Sequence, residues 1–249
     1  MLKANPLENP DSSPGFERIK AATLDALYDP SILIGGLGLV LITTTGSDKR
    51  VTSYASENTP VFGSRERADK ISDYLRIASL GTASLLYAVK YLPPEKDSAG
   101  HYNYKKSIAG AEALIVSQVL TFGSTEILKD VTCRLRPDSS NRNSFPSGHA
   151  SITAAENNYS SNIVKGMPLP EYSRFILESA LVAVTFTTAW ARIEAGKHYP
   201  SDVIAGAVLG TFFSNAAYKA FIGPYQPIDS RFDLNITPDF FSIRFACVF

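Results

Sequence analysis

Arg192-Ile193-Glu194-Ala195-Gly196-Lys197-His198-Tyr199-Pro200-Ser201-Asp202 is a polar string set between two long apolar stretches. Pro200 is a favoured first-turn residue, so one helix ends in this string and the next begins at its close, with Asp202 in the opening turn. Outward from it, the same alternation recurs. Pro146-Ser147-Gly148-His149 precedes one helical run, and Lys129-Asp130-Val131-Thr132-Cys133-Arg134-Leu135-Arg136-Pro137 closes another. Helical periodicity covers 16–27, 30–44, 65–91, 106–129, 147–163, 170–195 and 201–221. The fold read from this pattern is an all-α helical bundle.

Two stripes at helical spacing, Tyr172, Phe175, Ile176, Ser179 and Ala180, then Ile204, Val208, Thr211 and Phe212, read as buried core faces. Loops rich in Pro, Gly and charge join the runs, and such loops on a rigid scaffold favour function. The loop 93–106, with Tyr91, Tyr102 and Tyr104, lines a pocket mouth or merely covers the core. Residues 1–15 are proline-rich and read as a flexible N-terminal arm. Residues 16–224 form the helical domain, and 225–249 a C-terminal extension. In that extension Ile243, Phe245, Cys247 and Phe249 alternate with Ser242, Arg244, Ala246 and Val248, the pattern of a short strand.

Lys plus Arg and Asp plus Glu are 24 each, so no bulk basic field exists for nucleic acid. The chain's 45% hydrophobic residues suffice for a full core in one domain. A bilayer span needs roughly 20 mostly apolar residues, and the uncharged runs are mostly shorter. Runs 77–89, 113–125 and 179–191 have 13 residues each and 203–218 has 16, which favours core helices of a water-soluble bundle. Spans centred on residues 37, 83 and 210 are the alternative. The opening Met1-Leu2-Lys3-Ala4-Asn5-Pro6 lacks an apolar secretory core. Cys133 and Cys247 are too few for a disulfide scaffold or metal site, though one bridge between them would imply an oxidising compartment.

The polar strings suit a phosphate-sized anion. Ser147 and Gly148 stand where a helix begins, and free N–H groups there attract anions; Ser147 is equally a plain N-cap. Arg136 and Arg192 each offer a bidentate fork and Lys129 a point charge, against the alternative of solvated surface cations. Asp202, four residues after His198, is placed to accept its Nδ1–H and leave Nε2 free. No His, Cys or carboxylate set stands at metal-ligand spacing, so neither metal nor other cofactor is expected.

Lys-x6-Arg-Pro, Pro-Ser-Gly-His and Arg-x5-His-x3-Asp, in this order, resemble the three motifs of the type 2 phosphatidic acid phosphatase (PAP2) superfamily. It includes acid phosphatases, lipid phosphatases and vanadium haloperoxidases. The resemblance runs from Lys129 to Asp202 and implies a bundle of the PAP2 type. It also implies a metal-independent phosphomonoesterase with His198 as nucleophile through a phosphohistidine, Asp202 orienting it and His149 as general acid and base. Lys129, Arg136, Ser147, Gly148 and Arg192 bind phosphate. The implied substrate is a phosphorylated lipid or a small phosphomonoester, and the implied place a bacterial periplasm or cell envelope, soluble or associated with a membrane surface.

Two departures stand out. The family's third motif usually begins Ser-Arg, whereas Ala191 precedes Arg192 here, removing one hydroxyl from beside the arginine. In membrane members the Pro-Ser-Gly-His helix continues as an apolar span, whereas here it meets Glu156-Asn157-Asn158, which favours the soluble branch. Two other functions fit the same strings: a vanadium-dependent haloperoxidase, and a non-catalytic phosphate or lipid-headgroup binding module.

Overall fold

The computed structural model describes residues 15–96, 100–223, 231–237 and 240–246, the last two segments as backbone alone. Its helices are α1 (Phe16–Leu27), α2 (Pro30–Thr44), α3 (Ser47–Asn58), α4 (Arg65–Tyr91), α5 (Lys105–Thr132), α6 (Gly148–Lys165), α7 (Glu171–Glu194) and α8 (Pro200–Phe221). A two-residue hairpin, β1 (Glu95–Lys96) with β2 (Tyr102–Asn103), joins α4 to α5. After the bundle, β3 (Arg231–Thr237) pairs antiparallel with β4 (Phe240–Ala246). The alternation expected of one C-terminal strand thus belongs to a hairpin, while residues 247–249, and with them Cys247 and any bridge to Cys133, lie outside the described residues. So does nearly all of the 1–15 arm.

Local chemistry sets the helix starts. The Asp29 side chain accepts from Ser31 N at 2.9 Å ahead of Pro30, and Ser64 accepts from Arg67 N at 3.2 Å. At α8, the Asp202 carboxylate reaches back to Tyr199 N at 2.8 Å, satisfying a donor that the helix leaves unpaired. Helix α3 was not expected. Its sequence, Ser47 to Asn58, is mostly polar and carries no long apolar stripe, so periodicity alone does not reveal it.

Helix α6 is the axis of the bundle, bordered by α4, α5, α7 and α8. Small residues make that packing close. A methyl group on Gly206 of α8 would meet the Ser147 carbonyl at 2.5 Å, and one on Gly210 would collide with the Ser151 carbonyl. The buried apolar set is dominated by alanine: Ala22, Ala26, Ala55, Ala68, Ala83, Ala113, Ala150, Ala154 and Ala155. Large apolar side chains point outward instead, among them Ile77, Val89, Val119, Phe122, Val182 and Phe186, the last 70% exposed.

This inside-out distribution overturns the expectation of a soluble core. Tyr172, Phe175, Ile176, Ser179 and Ala180 are exposed, and the buried side of α8 is Val203, Gly206, Gly210, Ser214 and Ala217. Small residues inside and large apolar ones outside is how helices pack in lipid. By length and composition α5 and α7 suffice to cross a membrane, as does the pair α1 and α2, bent by 52°, if it is one span. The chain is membrane-associated. Counting uncharged runs misled because Glu112 and Glu126 interrupt α5 without ending it, and the helix is 28 residues long. Glu156 and Asn157 misled for a second reason: both are buried within the bundle, where polar side chains never meet lipid.

Candidate active site

Helices α5 and α7 end, and α6 and α8 begin, at one end of the bundle, so the three polar strings meet there. The Ser147 N–H donates to the Asp202 carbonyl at 2.9 Å, tying the start of α6 to the start of α8. Gly148 brings Lys129 in: a methyl group at Gly148 would lie 3.3 Å from Lys129 Nζ, so the absent side chain makes room for the ammonium beside the helix N-terminus. The N–H groups of Gly148 and His149 have no acceptor among the described residues, which leaves two donors and the positive helix end together. Ser147 is fully buried, and its hydroxyl accepts from Ala150 N at 3.5 Å, a long capping contact.

His198 is buried, and its Nδ1 lies 2.7 Å from the Ser144 carbonyl. That carbonyl can only accept, so Nδ1 carries the proton and Nε2, without a partner among the described residues, keeps its lone pair. The spacing had assigned this part to Asp202, whose carboxylate instead stands 3.7 Å from Nδ1, too far to hydrogen-bond but close enough to face an imidazolium. Asp202 is itself held by Arg134 at 2.6 Å, by the Ser144 hydroxyl at 2.5 Å and by Tyr199 N. Arg134 also pairs with Asp48 of α3 at 2.8 Å and lies 4.3 Å from the centre of the Tyr199 ring. Asp48 accepts from Ser201 N at 2.8 Å.

Helix α4 supplies partners that the motifs did not reveal. Arg192 Nη1 donates to Asp69 and, at 3.0 Å, to the Ser72 hydroxyl, so α4 furnishes a hydroxyl where Ala191 has none. His149 Nε2 lies 2.7 Å from Asp73 Oδ1. The signal was present in the sequence as Asp69, Ser72, Asp73 and Arg76, a polar stripe on a helix that is otherwise apolar beyond its second turn. Arg134, Ser144 and Asp48 had no comparable signal, since each acts through loop or helix-end geometry.

The cations are only partly satisfied. Lys129 pairs with Glu126 at 2.6 Å, and Arg192 Nε is sealed from solvent without an acceptor. The Arg136 guanidinium makes no hydrogen bond or ion pair among the described residues, and its Nε is also sealed. Burial pushes the His198 imidazole down to about 4; Asp202 opposes that, while Arg192 and Arg136 reinforce it. Burial likewise takes His149 down to about 4, reinforced by Arg192 and Arg76 and opposed by Asp73. Arg192 therefore acts on both rings, and a dianion beside it would favour their protonated forms.

The Tyr-rich loop is not part of this end. It joins the C-terminus of α4 to the N-terminus of α5, about 27 Å along α4 from Asp73 by helical rise. Tyr91 is buried there with its hydroxyl 2.9 Å from that of Tyr218.

Residues 110–223 match the family model of the PAP2 superfamily, a span that contains every expected site residue. No curated protein matches the chain. Among solved structures, a transmembrane PAP2 type phosphatidylglycerolphosphate phosphatase from Bacillus subtilis is similar at 18% identity and a TM-score of 0.49, over 79% of this chain and 92% of that one. LpxE from Aquifex aeolicus is similar at 19% identity and a TM-score of 0.39, over 62% of this chain and 93% of the other.

Proposed function

We propose, from the match of residues 110–223 to the PAP2 superfamily model, that the helical unit 16–224 is a metal-independent phosphatase that hydrolyses a phosphomonoester, in the first place a lipid phosphate, in a bacterial cell envelope. The observation that carries this reading is His198: Nδ1 is held by a backbone carbonyl, and Nε2 has no partner among the described residues, at the end of the bundle where Arg136 and Arg192 have unmet donors.

Arg136, Arg192, Lys129 and the N–H groups of Gly148 and His149 bind the phosphoryl oxygens, where charge develops during transfer. Nε2 of His198 attacks phosphorus. The bond from phosphorus to the alcohol oxygen breaks, and protonated His149 gives that oxygen its proton. The phosphohistidine carries an imidazolium whose Nδ1–H stays on Ser144 and faces the Asp202 carboxylate. His149, now neutral, deprotonates a water; the water oxygen bonds to phosphorus, the bond to Nε2 breaks and inorganic phosphate leaves. His149 begins neutral at physiological pH, so the bound phosphate dianion has to raise its proton affinity, and Asp73 assists.

The test is phosphate release from short-chain phosphatidic acid in detergent micelles. The wild-type chain is expected to turn over in EDTA and to be inhibited by vanadate, and His198→Ala to lose at least about a thousandfold in kcat, the scale of removing a covalent nucleophile. A His198→Ala chain that keeps the wild-type rate excludes the mechanism. Phosphate binding without release from any ester makes the chain a binding module instead.

A further inference from the structure

One helical turn below the two α4 acids stands a cation with nothing to pair with. Arg76 makes no hydrogen bond or ion pair among the described residues, and its Nε is sealed from solvent. Arg76 is only partly buried and has Nε sealed, so a guanidinium half withdrawn from water stands ready for an incoming anion. Two side chains of α6, Thr153 and Glu156, also carry an unpartnered polar atom. His149, Thr153 and Glu156 lie at positions i, i+4 and i+7, a single stripe facing α4. The Thr153 hydroxyl and Glu156 Oε2 are buried with no partner, while Glu156 Oε1 accepts from Gln118 of α5 at 3.0 Å. The 2.7 Å contact of His149 Nε2 with Asp73 sets the register of α4 on α6; by helical rise Arg76 lies about 4.5 Å beyond Asp73 and Glu156 about 10.5 Å beyond His149, which puts Arg76 between the two levels of that stripe.

The direction of the chemistry gives these groups an occupant. In the reaction proposed above, His149 protonates the leaving oxygen, so the leaving group occupies the His149 side of the phosphate, toward Arg76. We propose that Arg76, backed by Thr153 and Glu156, is a leaving-group subsite that selects esters whose leaving group carries a second anion, a phosphodiester or a second phosphate, close to the scissile bond. The guanidinium takes that anion by a forked contact, and the unpaired hydroxyl and carboxyl oxygens take adjoining hydroxyl groups or water. Phosphatidic acid, whose leaving alcohol is a plain diacylglycerol, leaves Arg76 unmet. Sites built around a buried polar group discriminate strongly against a ligand lacking the matching group.

This inference rests on the phosphatase reading, and its test separates the two. Dioctanoyl forms of phosphatidic acid, phosphatidylglycerol phosphate and diacylglycerol diphosphate are compared with the full chain in micelles. Wild type should prefer at least one two-anion substrate over phosphatidic acid by about tenfold or more in kcat/KM, and which one identifies phosphodiester or diphosphate as the anion. Arg76→Gln should shrink that ratio at least tenfold, and Arg76→Lys, which keeps the charge but loses the fork, should keep only part of it. The inference is overturned if Arg76→Gln lowers all three substrates by one factor or leaves the ratio intact. Should Arg76→Gln fail to fold, the wild-type chain decides: glycerol 1,3-bisphosphate must inhibit phosphatidic acid hydrolysis about tenfold more tightly than glycerol 1-phosphate, and equal inhibition overturns the subsite. Hydrolysis of phosphatidic acid that needs His198 but shows no preference sinks the subsite alone; no hydrolysis of any substrate sinks both.

Discussion

Replacing Gly206 with alanine tests whether the seam between α6 and α8 sets the geometry of the site. The new methyl carbon would stand 2.5 Å from the Ser147 carbonyl oxygen, 3.2 Å from Ser151 N and 3.4 Å from Ala150 Cβ. Two of the three neighbours are backbone atoms, so no side chain can swing aside, and α8 must retreat by about 1 Å to restore ordinary contact. Overpacking of this kind costs about 1–3 kcal/mol, partly offset by the roughly 0.5–1 kcal/mol that alanine gains over glycine in a helix. The same retreat moves His198 and Asp202 relative to Gly148 and His149, because the Ser147 N–H bond to the Asp202 carbonyl joins the two groups. A shift near 1 Å in a reacting geometry costs about a hundredfold in rate. Thermal unfolding in detergent and phosphate release from short-chain phosphatidic acid read the two effects. Gly36→Ala in α2 is the control, since a methyl there meets nothing within 4 Å and should be neutral or stabilising. A Gly206→Ala chain with kcat within about threefold of wild type would show that the seam does not set the site.

Two further outcomes follow from the charges. His198 and His149 are held by burial at about 4 in the folded chain, below the ordinary value near 6.5. The unfolded chain therefore binds protons that the folded chain refuses between about pH 6.5 and 4, so stability is full above 6.5 and falls as pH drops through that window. The acid limb of the kcat/KM profile, where His198 protonates, should have its midpoint near 4, and a midpoint above 6 contradicts the burial of the ring. Arg134→Met leaves the fully buried Asp202 and the mostly buried Asp48 without their shared cation. Since Arg134 is 31% exposed, about 2–3 kcal/mol is expected in place of the larger loss for a fully buried pair. At about 2–4 °C per kcal/mol the melting temperature should fall by roughly 4–12 °C, and a fall under 2 °C would show that Asp202 needs no such support.

Much of the bundle was legible because its helix boundaries are written locally. Pro200 and Asp202 open α8, Ser147 opens α6, and the apolar runs between them have helical period. The three strings were legible as one site because their residue types are few and complementary, even though nothing in the spacing says that Ser147 bonds Asp202. Helix α3 was hidden by its polarity. The direction of the apolar faces was hidden as well, because periodicity gives a stripe without saying whether it turns inward or outward, and Phe175, at 68% exposure, turns outward. Asp69 and Asp73 sit among Arg65, Glu66, Arg67 and Lys70, so only packing against Arg192 and His149 separates them from surface charge. The tautomer of His198 escaped because the sequence shows the carboxylate four residues away and conceals a carbonyl 54 residues upstream.

The polar composition of α6 bears on how the molecule is assembled. Ser151, Thr153, Glu156, Asn157 and Ser160 all turn toward neighbouring helices, so this segment on its own has too little oily surface to dissolve in a bilayer. Its place at the centre must be granted by α4, α5, α7 and α8, which trade hydrogen bonds and close backbone approach for the lipid contacts it lacks. The nascent chain therefore has to keep α6 sheltered until α8, which follows it and α7 in chain order, arrives with Gly206 and Gly210. The end of the bundle where the three polar strings meet is completed by the same packing, so burial of α6 and assembly of the candidate site go together.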